Sequence, residues 1–179
     1  MATVPNDLTL PDEPELIGPE DASDEAGSHR TEFRFWLHLL ACTTLIETEI
    51  RRKFREEFDF TLARFEVLAQ LEREPGGLVL GELPKRLMVT AGSLTPIVDR
   101  LVEGGYLTRT PSTIDRRVQI VCLTVEGRRA FRRMAKKHGL WLTALLEQFP
   151  REKLERLTEQ LGELKRMLKK TPENARRIG

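Results

Sequence analysis

The chain has 179 residues, of which 40% are hydrophobic, 32% charged and 6% aromatic. This length fits one domain with or without a tail, and the composition is typical of a soluble, helix-rich protein. The chain is too short for a doubly wound enzyme with a second domain. No apolar run in it approaches the ~18 residues of a membrane span. No secretory signal is recognised, and Cys42 and Cys122 cannot form a disulfide framework, so we expect a reducing cytoplasm.

The charges are divided unevenly along the chain. Residues 1–29 hold eight acids, four prolines and no Lys or Arg, so this segment carries a formal charge of −8. The other 150 residues hold 29 basic and 20 acidic side chains, a formal +9. The composition predicts a disordered acidic tail over residues 1–29, which screens a basic surface or adds solubility. The basic body favours a polyanionic partner.

Four helices are predicted in the first part of the body. Apolar residues at helical spacing indicate a long helix from about residue 31 to 57 and a second one capped by Thr61, which Pro75-Gly76-Gly77 ends. A short helix over residues 80–87 follows. Thr90 is the predicted N-cap of a helix that Gly104-Gly105 ends, with Leu94, Ile97, Val98 and Leu101 facing inward.

After this helix, the apolar residues change from helical spacing to the alternating spacing of β-strands. Residues 106–109 and 118–123 read as two strands of a hairpin whose long tip carries turn residues. Thr124 can cap a further long helix that Pro150 ends. A last helix over about residues 151–169 has leucines at spacings of 3, 4, 3 and 4, which is a coiled-coil-like seam: Leu154, Leu157, Leu161, Leu164 and Leu168.

This order of elements is that of a winged helix-turn-helix: a mainly α fold with a small β-hairpin wing. The blocks that carry a family resemblance are residues 62–68, 81–83, 90–101, 105–109, Asp115-Arg116-Arg117 and residues 123–127. In this order they resemble the MarR family of bacterial transcription regulators over about residues 30–170.

The resemblance implies a homodimer on a palindromic double-stranded DNA operator. A helical dimerisation region would comprise residues 30–57 and 124–170, and the winged helix-turn-helix DNA-binding domain residues 58–123. The leucine seam independently favours a partner helix, although packing within one chain is the alternative. The family commonly represses transcription.

The resemblance also places the DNA contacts. The recognition helix would open at Thr90, and its outward candidates are Thr90, Ser93, Thr95, Pro96 and Arg100. In the wing, Asp115 would pair with Arg117 and aim it into the minor groove, with Arg116 on phosphate beside it. Arg109 would meet backbone phosphate, whereas Asp99 is expected to form a local ion pair. Pro96 predicts a tightened or bent first turn.

Family members commonly sense small phenolic or aromatic acids in a cleft beside the dimer layer. Candidate ligand-binding residues here are Arg34, Trp36, His38, Cys42, Arg64, Phe65 and His138. An aromatic side chain with a nearby cation can hold an aromatic carboxylate or its thioester. The alternative is that the aromatic residues are core and the arginines solvated.

Other functions find less support in the sequence. A cysteine redox sensor would need a cationic setting that the neighbours of Cys42 do not supply. No metal-ligand spacing, phosphate loop, nucleophile elbow or other enzyme motif occurs, so no metal, cofactor or catalytic residue is expected. An architectural DNA-binding winged helix without an effector remains a further alternative.

Overall fold

The computed structural model of the chain describes residues 24–87 and 91–170, so Thr90 and its predicted cap lie outside the described residues. The elements in chain order are α1 (Asp24–Phe58), α2 (Leu62–Glu72), β1 (Leu78–Val79), a 3-10 turn (Leu80–Glu82), α3 (Leu83–Leu87), α4 (Ala91–Glu103), β2 (Leu107–Pro111), β3 (Gln119–Leu123), α5 (Val125–Leu145) and α6 (Arg151–Lys170). The predicted winged-helix fold, mainly α with a small sheet, is confirmed.

The chain divides into two compact units, Met1–Thr44 and Leu45–Gly179. The described part of the N-terminal unit is the first part of α1, on which Phe33, Trp36 and Leu40 are about half exposed. Since α1 begins at Asp24, residues 24–29 are helical, whereas the sequence pattern assigns them to the disordered tail. In the described part of the chain, no helix has the length and apolarity needed to cross a membrane.

The core of the C-terminal unit forms where the helices meet the sheet. Phe54, Leu68, Val98, Leu101 and Val121 are all fully buried there. They come from α1, α2, α4 and β3, so the helix-turn-helix and the wing share one apolar core. Burial of such side chains contributes about 1.5–3 kcal/mol each, which fixes the helices against the sheet.

The sheet has three antiparallel strands in the order β1-β3-β2. Leu107 pairs with Leu123 and Pro111 with Gln119, which defines the wing, while Leu78 pairs with Val121. The sequence pattern missed β1, because two residues are too few to show an alternating period. This short strand ties the segment before α3 to the base of the wing.

The predicted helix boundaries are confirmed at several capping residues. The Thr61 hydroxyl accepts a hydrogen bond from the amide of Arg64 at 3.3 Å, and the Thr124 hydroxyl accepts one from Gly127 at 2.9 Å. At the end of α4, Gly105 adopts a φ of +73°, a left-handed conformation that favours glycine. These caps set where each helix begins or ends relative to the wing.

The wing is joined to α5 by a close backbone approach. The Thr124 hydroxyl donates to the carbonyl of Gly105 at 2.7 Å, and the Thr124 amide donates to that of Tyr106 at 3.0 Å. A Cβ on Gly127 would lie 2.0 Å from the carbonyl oxygen of Tyr106, so only glycine fits there. The Leu-Thr-x-x-Gly block of the sequence thus packs the first turn of α5 against the base of β2.

The leucine seam of α6 faces outward in the single chain. Leu157 and Leu161 are 44% and 42% exposed, and Leu168 is 66% exposed. Leu154 and Leu164 are half-buried. An apolar stripe of this kind on a helix rarely stays in water without a partner.

Candidate nucleic-acid interface

Helix α4 has a buried face and an exposed face. Leu94, Val98 and Leu101 are buried, as the sequence pattern predicts. The exposed positions include the candidates Ser93, Thr95, Pro96 and Arg100. These side chains therefore point away from the core, as a helix lying in a major groove requires.

Pro96 lies within α4 rather than at its start. It has no backbone amide, so the carbonyl of Gly92 loses its usual partner at this turn. The helix nevertheless continues from Ala91 to Glu103 through this residue. The tightened or bent first turn that the sequence predicts involves Thr90 and stays a prediction.

Asp99 and Arg109 connect α4 to the wing. Nη1 of Arg109 donates to Oδ1 of Asp99 at 3.1 Å. Asp99 therefore has the local ion-pair partner that the sequence predicts, and that partner is Arg109. The guanidinium has five N–H donors, so this bond leaves donors of Arg109 for a phosphate.

The wing tip is organised by the carboxylate of Asp115. Its Oδ1 accepts a hydrogen bond from the backbone amide of Arg117 at 2.9 Å. Asp115 and Arg117 do not form a side-chain ion pair among the residues that the structure describes. The expectation of a side-chain pair is thus corrected: a short Asx-type turn brings the carboxylate to the amide of residue 117, and the guanidinium of Arg117 extends from an exposed position.

The recognition helix and the wing border one open groove. It has a volume of about 450 Å³, and its lining includes Leu94 and Thr95 of α4, Arg109 of β2, and Arg117 and Gln119 of the wing. Three of the predicted DNA-contact residues, Thr95, Arg109 and Arg117, are thus brought to one surface. Arg116 is exposed next to them in the chain. Two arginines beside a short hydroxyl side chain suit a phosphate-lined partner.

Three of the candidate ligand residues lie in the C-terminal unit. Phe65 is buried and packs against Phe54, Phe131 and His138, with ring centroids 4.8, 5.4 and 5.2 Å away. Burial lowers the pKa of His138 below its ordinary value. The guanidinium of Arg64 lies over the ring of Phe60 at 5.6 Å. Phe65 is therefore a core residue, whatever further role it has.

The other four candidates belong to the N-terminal unit. Arg34, Trp36, His38 and Cys42 are all exposed on α1. Trp36 is 55% exposed and so is not a core residue of the single chain. A ligand site built from these residues stays a proposal.

One contact and one exposed side chain at this surface were not predicted from the sequence. The choice of Arg109 as the partner of Asp99 depends on the crossing of α4 and β2, which no local pattern records. Ile114 at the wing tip is 97% exposed. The sequence could have indicated this exposure, because Ile114 is an isolated large apolar residue among turn residues.

Comparison with known proteins gives consistent matches to one family. The sequence model described as "MarR family" matches residues 60–118. The transcriptional activatory protein BadR of Rhodopseudomonas palustris is 28% identical over 119 residues, covering 64% of this chain and 67% of BadR. The regulator PecS of Dickeya dadantii is 29% identical over 126 residues, covering 69% of this chain and 75% of PecS.

Solved structures show the same fold. A MarR family transcriptional regulator from Silicibacter pomeroyi is 28% identical, with a TM-score of 0.68, and the match covers 82% of this chain and 99% of that one. FabT of Streptococcus pneumoniae, solved in complex with DNA, is 22% identical with a TM-score of 0.64, covering 79% and 99%. Residues 60–118 thus match the MarR family of transcription regulators, and most of the chain has the fold of the MarR family regulator from Silicibacter pomeroyi.

Proposed function

We propose that this chain binds a palindromic DNA operator as a homodimer and represses transcription until a small aromatic or phenolic acid, or its thioester, releases it. In each half-site, α4 lies in the major groove and the wing reaches the adjacent minor groove. Arg117 enters that minor groove, and Arg116 and Arg109 contact phosphates. Ser93, Thr95, Pro96 and Arg100 are the contacts from α4. Thr90, which precedes α4 in the sequence, is a further contact.

The groove between α4 and the wing carries this proposal. Thr95, Arg109 and Arg117 all line it, although they come from three separate elements. Residues 30–179 carry a formal charge of +9, which favours a polyanion over an uncharged partner. If one dimer neutralises roughly eight phosphates, log affinity falls with log salt at a slope of about −7.

The exposed stripe of α6 supports the homodimer. A second copy of the stripe would cover Leu157, Leu161 and Leu168, which the single chain leaves in solvent. Two-fold symmetry would then place two recognition helices on one duplex, which is why a palindromic operator is part of the proposal.

Selection from a random-sequence duplex library tests the DNA-binding part. We expect the full chain to recover an inverted-repeat motif, with two chains per duplex in sedimentation of the complex. Its affinity for this motif should exceed that for random duplex by about 10³-fold or more. A specificity ratio near one would contradict an operator and favour the architectural alternative.

The sign of regulation is a separate part of the proposal. Repression is typical of the family, whereas the relative BadR is named an activatory protein. In a transcription assay with the recovered motif placed over a promoter, we expect less transcript when the chain is added. More transcript would overturn repression and leave DNA binding intact.

The effector part rests on a cation and aromatic groups among the candidate residues. Within the C-terminal unit, the guanidinium of Arg64 lies over the ring of Phe60, and His138 lies against the rings of Phe54 and Phe65. Calorimetry with a panel of aromatic acids and their thioesters should find a ligand that also raises the dissociation constant for DNA. Absence of any binder in the panel would contradict an aromatic effector.

A further inference from the structure

Ile114 is the most exposed large apolar residue in the described part of the chain. Its exposed fraction is 97%, and the next highest is 69%, at Val125. It stands at the tip of the wing, between Thr113 and Asp115, which are also exposed. Exposure of an isolated apolar side chain is ordinary on a protein surface, so its surroundings decide whether it has a role.

The backbone around Ile114 is held by hydrogen bonds on both sides. The amide of Ile114 donates to the hydroxyl of Ser112 at 3.2 Å. On the other side, the carbonyl of Asp115 accepts from the amide of Val118 at 2.9 Å, and Val118 in turn accepts from the amide of Ser112 at 2.8 Å. These bonds close the tip into a short turn.

This arrangement directs the side chain outward. An isoleucine side chain has few rotamers because it branches at Cβ. Combined with the closed turn, this restriction holds the apolar group in an exposed position at the tip of the wing before any partner binds. Little conformational entropy is then lost when a partner covers it.

The neighbours of Ile114 indicate what kind of partner covers it. Arg116 and Arg117 follow within three residues and are exposed, so the tip presents cations beside the apolar group. Such a combination matches the minor groove, where arginines meet the negative potential and isoleucine is among the apolar residues that insert at base steps. An uncharged apolar protein surface would leave the two guanidinium groups without anionic partners.

We propose that Ile114 enters the minor groove beside Arg117 and makes the wing prefer A·T pairs there. The minor-groove edge of A·T carries no amino group, whereas G·C adds the guanine N2 amino group. An apolar side chain in contact with that edge would collide with the amino group and leave its donor without a partner. This inference rests on the proposed DNA contact of the wing.

Base analogues in a duplex that the wild-type chain selects test this contact directly. Replacing adenine with 2,6-diaminopurine adds an N2 amino group in the minor groove and leaves the hydrogen-bonding atoms N6 and N7 of the major groove in place. At the pairs under the wing, we expect this change to weaken wild-type binding about tenfold. The variant Ile114→Ala should bind the unmodified duplex about tenfold less tightly and lose most of the response to diaminopurine.

Three control variants separate this effect from others. Val125→Ala removes a comparable exposed apolar group from the start of α5 and should change neither affinity nor the diaminopurine response. Ile114→Val keeps the branched apolar shape and should restore most of the affinity. Arg117→Ala should weaken binding and lower the salt dependence, whereas Ile114→Ala should keep the wild-type salt slope, since it removes no charge.

The outcomes are distinguishable. If Arg117→Ala weakens binding but the wild type and Ile114→Ala respond equally to diaminopurine, the role of Ile114 is overturned and the wing contact stands. A wild-type chain that is indifferent to diaminopurine at every pair under the wing would also overturn it. If Arg117→Ala has no effect, the wing contact itself fails, and the inference fails with it.

Discussion

Oδ1 of Asp99 on α4 lies 3.1 Å from Nη1 of Arg109 on β2. This ion pair joins α4 to the first strand of the wing, and its arginine, Arg109, also lines the groove beside α4. Both side chains are partly exposed, so the pair contributes little to folding. Its effect is to fix the direction of the guanidinium, whose remaining donors are available for a phosphate.

Asp99→Asn should therefore lower the preference for the selected duplex over random duplex while leaving the folding stability almost unchanged. We expect the free energy of unfolding to change by less than about 1 kcal/mol, as for exposed ion pairs. Binding to the selected duplex should weaken about threefold to fivefold because Arg109 loses its fixed direction. Random duplex should bind slightly more tightly because a carboxylate near the phosphates is removed.

The measurement is the ratio of the two dissociation constants by fluorescence anisotropy. Glu155→Gln is the matched control, since Glu155 pairs with Arg151 at 3.0 Å on α6. An unchanged ratio in Asp99→Asn would show that the ion pair does not position Arg109 for DNA.

Gly127→Ala tests the junction between the wing and α5. A Cβ at this position would lie 2.0 Å from the carbonyl oxygen of Tyr106, so the backbone must shift. We expect a loss of at least about 2 kcal/mol in the free energy of unfolding, as for other overpacked sites. Urea unfolding followed by circular dichroism measures it.

Gly139→Ala is the control for the same chemical change in the same helix. Nothing lies within 4 Å of a Cβ at Gly139, so alanine should stabilise α5 by about 0.5–1 kcal/mol. Equal effects of the two substitutions would show that the close approach at Tyr106 is unimportant.

The sequence predicts the local features of this fold but not the contacts between elements that are distant in the chain. The hydrophobic period and the capping residues Thr61 and Thr124 predicted the helices, because those signals are local. The two-residue strand β1 and the pairing of Asp99 with Arg109 could not be predicted, because each depends on elements that meet only in the fold. For Asp115, the sequence predicts its place in the wing turn but not its hydrogen bond to the backbone amide of Arg117.

His138 should make stability depend on pH. Burial against the rings of Phe54 and Phe65 lowers the pKa of His138 below 6.5, because the charged imidazolium loses hydration there. The unfolded chain therefore binds this proton more tightly than the folded chain. The resulting stability is fully present above pH 6.5 and is lost as the pH falls from 6.5 through the lower folded-state pKa.

Urea unfolding at pH 8 and pH 5.5 measures this dependence. We expect the free energy of unfolding of the wild type to fall between these conditions by more than that of His138→Gln, which has no titrating group at this position. The same fall in both chains would show that other groups account for the pH dependence.

Leu161→Lys should separate the two copies of the proposed dimer. Leu161 is 42% exposed on α6, one turn from the similarly exposed Leu157. In a two-fold apolar seam, the lysine of one copy would be buried near the lysine of the other copy, and the two charges would repel each other. We expect a monomer in sedimentation velocity and a loss of operator affinity of about 100-fold, since one subunit engages one half-site. Gln160→Lys adds the same charge at an exposed neighbour and should stay dimeric; dimerisation of Leu161→Lys would exclude the seam as the interface.

Arg117→Ala tests the DNA contact of the wing most directly. Titration of the selected duplex over a range of salt concentrations gives both the dissociation constant and the salt slope, with Arg151→Ala on α6 as the control. We expect the dissociation constant to rise about tenfold and the slope to fall by about 1 for each wing. Wild-type affinity and slope in Arg117→Ala would contradict the placement of the wing on DNA.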